Sequence, residues 1–306
     1  MILKKIKNFI QNPKLLLFYM DLNGLIRIDD AEFLKIRYEK AFNKELDLNN
    51  PKTFNEKLQW LKLNDRKEIY TTLVDKYEAK KYVANIIGEE YIIPTLGIYN
   101  NFDEINFDEL PSQFVVKCTH DSGSTIVCKD KEKFNINDCK RKINKALKKN
   151  FYYISREWPY KNVKPKILIE EYKEDQSGEL KDYKVYSFNG KADYVMACFD
   201  RFNDGPKFIY YDKKWNIKKE FSNDGLKYGD KINLEKPKNL DKMFEFAEIL
   251  SKGIDFVRVD FYEVNNKLYF GELTFYPSGG FDNTRTIECQ KYLDKSLVIN
   301  NKKGIK

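Results

Sequence analysis

Apolar and polar positions along this chain follow a helical period up to about Gly88 and an alternating one over most of the remaining residues. In residues 1–20, Ile2, Leu3, Ile6, Phe9 and Ile10 share one side of a helix, with Lys4, Lys5 and Lys7 on the other. A basic amphipathic helix of this kind either lies on an anionic membrane surface or packs on its own domain. Helical spacing resumes from Ala31 to Leu46. Thr53-Phe-Asn-Glu56 is a capping box, in which hydroxyl and carboxylate satisfy each other's backbone donors. It opens a helix through Leu58, Trp60 and Leu61. The spacing then predicts one long helix from Thr71 to Gly88, with the glycine in a left-handed C-terminal position.

Strands dominate afterwards. Tyr91–Tyr99 (interrupted by Pro94), Phe114–Cys118, Thr125–Cys128 and Ile167–Tyr172 are short and apolar, and a lysine-rich helix, Asn137–Lys149, lies among them. Tyr183–Phe188 and Ala192–Phe199 flank Asn189-Gly190, a strong hairpin signal. Phe208–Tyr211 and Trp215–Ile217 read as a further hairpin, and a helix over Leu240–Lys252 precedes the last one. The expected class is α+β: a helical front end, then a body rich in antiparallel pairs.

That last hairpin carries the most chemistry. Phe256–Val264 and Leu268–Phe275 are its strands, and in the first Val257, Val259 and Phe261 alternate with Arg258, Asp260 and Tyr262. A three-residue loop, Asn265–Lys267, pairs Val264 with Leu268 and sets Asp260 opposite Glu272. A two-residue loop puts those carboxylates on opposite faces, because a slip of one residue inverts every side chain. Opposed carboxylates repel unless a cation lies between them. Mg²⁺ held by one or two carboxylates and substrate phosphates meets that need; an ordinary hairpin with two solvated acids is the alternative.

Composition narrows the classes. In 306 residues, 42% hydrophobic and 15% aromatic content supply a real core and argue against disorder. The longest apolar run near the start, Leu15–Met20, is far short of a membrane span, and no signal-peptide pattern is read. The five cysteines lack close-paired metal spacing, which points to a reducing cytosol rather than to disulfides or zinc. A single histidine, His120, excludes any two-histidine mechanism and is expected to be a loop hydrogen-bonding residue. The net charge of +8 suits an anionic partner, although most lysines alternate with acids as on a solvated surface.

Three further constellations precede the hairpin. A strand delivers Lys117 into a small polar loop, Ser122-Gly123-Ser124, of the kind whose N–H groups fold over phosphates, or which simply turns a surface hairpin. The apolar strand Lys166–Tyr172 ends in Glu170-Glu171, and Asp182 and Lys184 share one face of a strand.

Taken in this order with Arg258-x-Asp260 and Glu272-x-Thr274, these segments resemble the TupA-like ATP-grasp family, which takes its name from a protein of teichuronopeptide synthesis and whose members are often labelled glycosyltransferases. The strings Asn50-Pro-Lys-Thr-Phe-Asn-Glu-Lys-Leu-Gln-Trp60 and Gly271-Glu-Leu-Thr-Phe-Tyr-Pro277 carry most of the resemblance. Asp75-Lys76-Tyr77, Ile93-Pro94, Leu110-Pro111, Val116–His120 and Asp182-Tyr-Lys184 add to it. The resemblance implies an ATP-grasp fold, two α+β subdomains clamping ATP. Residues 1–70 would be a helical N-terminal region, 71–111 a preceding segment, 112–172 the N-terminal subdomain and 173–306 the C-terminal subdomain with the metal hairpin. It implies ATP and Mg²⁺ as cofactors. Lys117 would contact the phosphates, Ser122, Gly123 and Ser124 would form the mobile loop, and Glu170, Glu171 and Tyr172 the adenine hinge. Asp182 would hold the ribose and Lys184 contact the nucleotide. Arg258, with Lys117, would steady the transferred phosphoryl group. Asp260, Glu272 and Thr274 would ligate metal, Thr274 standing where the wider superfamily often has asparagine, a better ligand than a hydroxyl.

The activity so implied is ATP-dependent joining of a carboxylate to an amine through an acyl phosphate, in the cytoplasm or at the inner membrane surface, on a uronic acid or other carboxylate of a bacterial cell-surface polysaccharide or its precursor. The alternative is a glycosyltransferase of capsule or lipopolysaccharide synthesis, which the absence of any Asp-x-Asp motif disfavours. A nucleic-acid-binding module lacks any finger or helix-turn-helix signature.

Overall fold

Two separate antiparallel sheets carry the β structure in a computed structural model, which describes residues 13–175, 178, 180–199 and 205–299. Among the described residues five helices come first: α1 Pro13–Leu22, α2 Asp30–Phe42, α3 Phe54–Asn64, α4 Ile69–Val74 and α5 Lys76–Ile87. The amphipathic pattern of residues 1–12 lies outside the described residues. The capping box at Thr53 and Glu56 is present in full. The helix expected over Ala31–Leu46 ends at Phe42, where Asn43 turns left-handed (φ 53). The single helix expected over Thr71–Gly88 is two. Asp75 takes an extended conformation, and its carboxylate accepts from the N–H groups of Tyr77 and Glu78, ending α4 and capping α5.

The first sheet contains β1 Thr95–Tyr99, β2 Phe114–Cys118, β3 Ile126–Cys128 and β4 Ile167–Glu171 in the order β1-β4-β2-β3. The first strand is shorter than the Tyr91–Tyr99 expected, because Glu89–Tyr91 forms a 3-10 turn and Pro94 has no N–H to pair. Helix α6, Ile136–Leu147, buries Cys139 and Ile143 among Phe114, Val116 and Ile169, and the short α7 spans Tyr152–Ser155.

The second sheet contains β5 Asp182–Phe188, β6 Lys191–Phe199, β7 Lys207–Tyr211, β8 Phe256–Val264 and β9 Lys267–Thr274 in the order β7-β6-β5-β8-β9. Its remaining helices are α8 Asn223–Tyr228, α9 Leu240–Leu250 and α10 Ile287–Ser296. Val185, Val257, Val259 and Leu273 form the main core with Met243, Ala247 and Leu250 of α9. Each of the valine, leucine and methionine side chains contributes about 1.5–3 kcal/mol by leaving water. The hairpin expected at Trp215–Ile217 reduces to one bridge, Tyr211 to Ile217. There Trp215 has positive φ and stacks on Tyr211 with ring centroids 3.9 Å apart. All five cysteines are buried, and none forms a disulfide among the described residues.

The final hairpin corrects the loop length while keeping the pairing. Its turn has two residues, Asn265 and Asn266, both left-handed (φ 51 and 65), so Val264 pairs with Lys267 rather than with Leu268. Such a turn alone would put Asp260 and Glu272 on opposite faces. Gly271 is an extra residue on β9: Phe261 faces Phe270, then Asp260 faces Glu272. A bulge shifts the register by one, and that shift restores the carboxylate pair. A Cβ at Gly271 would lie 3.0 Å from the Asp260 carbonyl oxygen and 3.1 Å from Cε2 of Tyr262.

Gly271→Val is therefore expected to cost about 1–3 kcal/mol through overpacking against that backbone, read as a lower midpoint in chemical denaturation. A wild-type midpoint would show that the bulge tolerates a side chain.

Candidate functional site

Facing residues of the two sheets enclose a cleft of about 490 Å³, with Val115, Lys117, Glu170 and Glu171 on one side and Tyr262, Gly271 and Glu272 on the other. Tyr172 and Lys76 also line it. On the first sheet, Glu170 is buried and accepts from two lysines, Lys117 of β2 and Lys80 of α5, the latter at 2.5 Å. Burial would raise the Glu170 carboxyl's pKa, but the two ammonium groups outweigh it and hold it below the usual range. Lys80 also donates to the Ile93 carbonyl at 2.8 Å, tying α5 to the segment that enters β1. Lys76, in the first turn of α5, reaches the Asp121 carbonyl, and burial pulls its pKa below that of an ordinary lysine.

On the second sheet Asp260 is 1% exposed. Arg258 grips both its oxygens at 2.7 Å, and Lys184 donates to Oδ2 at 2.6 Å. Burial acts to raise this carboxyl too, and Arg258 and Lys184 reverse it, leaving Asp260 below the usual carboxylate range. Arg258 continues to Thr274 Oγ1 at 3.1 Å and to Glu272 Oε1 at 3.7 Å. The Thr274 hydroxyl donates to Glu272 at 3.2 Å. Glu272 is partly exposed, with 44% of its side chain accessible, and it faces the cleft.

A second cavity, about 600 Å³, lies beside the same row and is lined by Lys184, Arg258 and the segment from Pro277 to Arg285. A third, about 400 Å³, is lined by the Ser122-Gly123-Ser124 loop and by Lys142, Lys145 and Lys149 near the end of α6. Thr125 borders both this cavity and the cleft. Ser124 fixes the loop's base: its hydroxyl accepts from the Cys118 N–H at 2.8 Å and donates to Asp121 at 2.6 Å. Gly123 stands at φ +103 with open space around it.

The structure thus brings Lys117, Glu170, Glu171, Tyr172 and Glu272 to one cleft, with Ser122–Ser124 at its edge. Lys184 and Arg258 line the neighbouring cavity. Asp182 is 3% exposed, opposite Tyr262 in the ladder and 2.5 Å from the Lys184 ammonium. His120 is buried and donates from Nε2 to the Ala146 and Lys149 carbonyls, closing the end of α6.

Sequence reasoning assigned no role to Lys76 or Lys80, although Asp75-Lys76 belongs to the recognised strings. It also missed a stripe on α3. Asn55, Gln59 and Lys62 are each at most 1% exposed and bond to the 279–285 segment. Gln59 Nε2 donates to the Gly280 carbonyl at 2.8 Å, and Lys62 Nζ to Gly279 at 2.7 Å and Ser155 at 2.7 Å. Asn55 accepts from Arg285 at 3.2 Å. Their i, i+4, i+7 spacing is the only sign in the sequence, and a solvated polar face has the same spacing.

Two antiparallel sheets closing on a cleft lined by lysines and acids define an ATP-grasp architecture. The TupA-like ATPgrasp family model matches residues 56–298, and the chain belongs to that family. Among solved structures it is similar to D-alanine–D-alanine ligase from Bacillus anthracis, at 15% identity and a TM-score of 0.40 over 72% of this chain and 62% of that one. It is also similar to the ATP-grasp ligase PsnB, solved with a phosphomimetic variant of its minimal precursor, Mg and ADP, at 12% identity and a TM-score of 0.41 over 78% of this chain and 63% of that one. The chain thus spans less than two thirds of either structure's length. No curated protein matches it.

The two carboxylates of the hairpin are expected to behave differently. Asp260→Asn removes the carboxylate that holds Arg258 and shares Lys184 with Asp182, and should cost about 3–5 kcal/mol, whereas Glu272→Gln, at a partly exposed position, should stay within about 0.5 kcal/mol of wild type. The Asp260 contribution is fully present above an unfolded carboxyl pKa of about 3.9. It is lost as pH falls through the depressed folded value, so the Asn variant's deficit should shrink in acid. Denaturation from neutral pH downward checks this; equal stability of the two variants at neutral pH would contradict it.

Proposed function

We propose that this protein is an ATP- and Mg²⁺-dependent carboxylate–amine ligase, acting on a uronic acid or other carboxylate of a bacterial cell-surface polysaccharide or its precursor. The observation that carries the reading is the placement of the Arg258–Asp260–Glu272 row between two cavities. One is lined with lysines and suits a nucleotide; the other has room for an acid to approach the same arginine. Five buried cysteines without a disulfide among the described residues accord with work in a reducing cytoplasm.

The residues divide the task. The apolar walls Ile93, Val115, Val127 and Leu180 admit a base, with Glu171 and Tyr172 beside it at the end of β4. Lys76 and Lys117 supply positive charge for phosphate oxygens, and the Ser122–Ser124 loop supplies N–H groups at the edge. Glu272, exposed to the cleft, with Asp260 and Thr274 behind it, fits a hard cation that also takes phosphate oxygens. Mg²⁺ bound there would neutralise charge on the phosphates. Asp260 is already held by two cations, so its main task is to fix Arg258 and Lys184 in place.

Arg258 lines the second cavity 3.7 Å from Glu272 of the cleft, and there it would meet the charge that develops on a transferring phosphoryl group. In the reaction proposed, a substrate carboxylate oxygen forms a bond to the γ-phosphorus of ATP as the bond to ADP breaks. The amine nitrogen then attacks the acyl carbon, phosphate leaves with the bonding pair, and the amine gives up a proton. No side chain is needed as a nucleophile.

A thermal-shift series with Mg²⁺ and a non-hydrolysable ATP analogue, beside UDP- and GDP-sugars, tests the class. A ligand that binds the folded state alone raises the midpoint. The analogue should raise it, Lys117→Ala should abolish the rise, and the nucleotide sugars should do nothing; the opposite pattern would make the chain a glycosyltransferase. Because burial lowers the Lys76 pKa, analogue affinity should also fall at a pH below the ~10.4 of an ordinary lysine. Lys76→Arg should move that fall upward, and an unmoved alkaline limb would assign it to another group.

A further inference from the structure

The second cavity has a composition of its own. Three cations border it, Lys184, Arg258 and Arg285, with side chains 13%, 12% and 6% exposed. Lys184 and Arg258 are committed to Asp260, whereas Arg285 belongs to the wall that the α3 stripe supports. Asn55 Oδ1 accepts from its Nη1 at 3.2 Å, and Asp282 lies 3.3 Å from Nη2. Asn55 in turn donates to the Asp282 carbonyl at 3.1 Å. A guanidinium held in this way is pre-oriented, so little rotamer entropy is lost when it meets a ligand.

Aromatic side chains line the same space: Phe208 (36% exposed), Tyr210 and Phe281 among them. Across its mouth stand short polar groups, Ser222 and Asn223 on one side and Asn283 and Thr284 on the other. Aromatic walls offer flat apolar area, while hydroxyl and amide groups donate and accept in close pairs. A polyhydroxylated ring presents both kinds of surface. Of the lining acids, Asp224 accepts from the Phe208 N–H at 2.9 Å, and Asp282 accepts from Thr284 and pairs with Arg285 itself, so a substrate carboxylate would share that guanidinium with Asp282.

We propose that this cavity is the acid-substrate site, that it takes a saccharide bearing a carboxylate, and that Arg285 is the residue that selects for that carboxylate. The proposal rests on the ligase reading, in which the acid must reach Arg258. Arg285 binds the acid and leaves the phosphoryl transfer to the Arg258 row. The polar stripe of α3 acts through it as a positioning device.

The test titrates the full chain, with the non-hydrolysable ATP analogue and Mg²⁺ present, with D-glucuronate, D-glucose and L-glutamate in turn, following binding by NMR line shifts. Glucuronate should bind at least ten-fold more tightly than either comparison compound. Arg285→Gln should weaken glucuronate at least ten-fold and leave the analogue's affinity unchanged. Asn223→Asp, at an exposed position, adds a negative charge at the mouth, loses only a 3.4 Å bond to the Thr284 carbonyl and should weaken glucuronate several-fold. Tighter binding of glutamate, equal binding of glucose, or undiminished glucuronate binding in folded Arg285→Gln would overturn the proposal, and if that variant does not fold, undiminished binding in Asn223→Asp would overturn it. Analogue binding without any glucuronate binding would overturn it while leaving the ligase reading standing. Failure of the wild-type chain to bind the analogue would remove the ligase reading and this proposal with it.

Discussion

Each sheet buries a carboxylate at or behind the cleft that is held by two cations. Glu170 has Lys117 and Lys80; Asp260 has Arg258 and Lys184. A lone ionised carboxylate in these surroundings would be too costly to keep charged, and a lone lysine or arginine would be nearly as bad. On the first sheet two cations on one anion leave net positive charge, whereas on the second Lys184 is shared with buried Asp182, so Arg258 and Lys184 balance two carboxylates; each of these charged groups keeps a partner. The cations are thereby fixed by geometry instead of wandering in solvent. Such preorganisation lets charged groups stabilise a phosphoryl group without first reorganising. It also ties the fold to the site, because Lys80 comes from a helix and Glu170 from the strand beside Lys117.

Much of this was legible in the sequence. The capping box, the Asn189-Gly190 hairpin and the pairing of Asp260 with Glu272 follow from local rules that leave clear marks. The errors were local as well. Asp75 breaks a helix because its side chain competes for backbone donors, and a helical period on both sides conceals the break. The loop of the final hairpin is one residue shorter than the carboxylate pairing alone suggests, and Gly271 makes up the difference. A glycine inside a strand is the usual mark of a bulge. Here the carboxylate pattern could be satisfied either by a longer loop or by the bulge, and only the backbone decides between them.

What stayed hidden is the polar stripe of α3. Buried Asn55, Gln59 and Lys62 look like solvent-facing residues until their partners are known, and those partners lie more than 200 residues away for Asn55 and Gln59. Lys62 has three acceptors, Gln59 Oε1 and the Ser155 and Gly279 carbonyls, which match its three donors. The loop it holds needs such support. Ser278 and Gly279 both have positive φ, and Ser278 does so against the preference of its side chain.

The helices at the front belong to the same mechanical unit. Arg156, 1% exposed, is 2.7 Å from Asp21 of α1 and 3.0 Å from Asp30 of α2. Arg37 of α2 donates to the Ile154 carbonyl, and its guanidinium lies 4.3 Å over the Phe281 ring. Thus α1 and α2 hold the 152–156 segment, α3 holds that segment and the 279–285 loop, and the loop forms one wall of the second cavity. A substitution at Arg156 would remove a fully buried guanidinium from two carboxylates, and its effect would pass to Ser155 and so to Lys62. The helical front end is therefore part of the site's support, which explains why the string from Asn50 to Trp60 reads as strongly in the sequence as the hairpin that carries the charges.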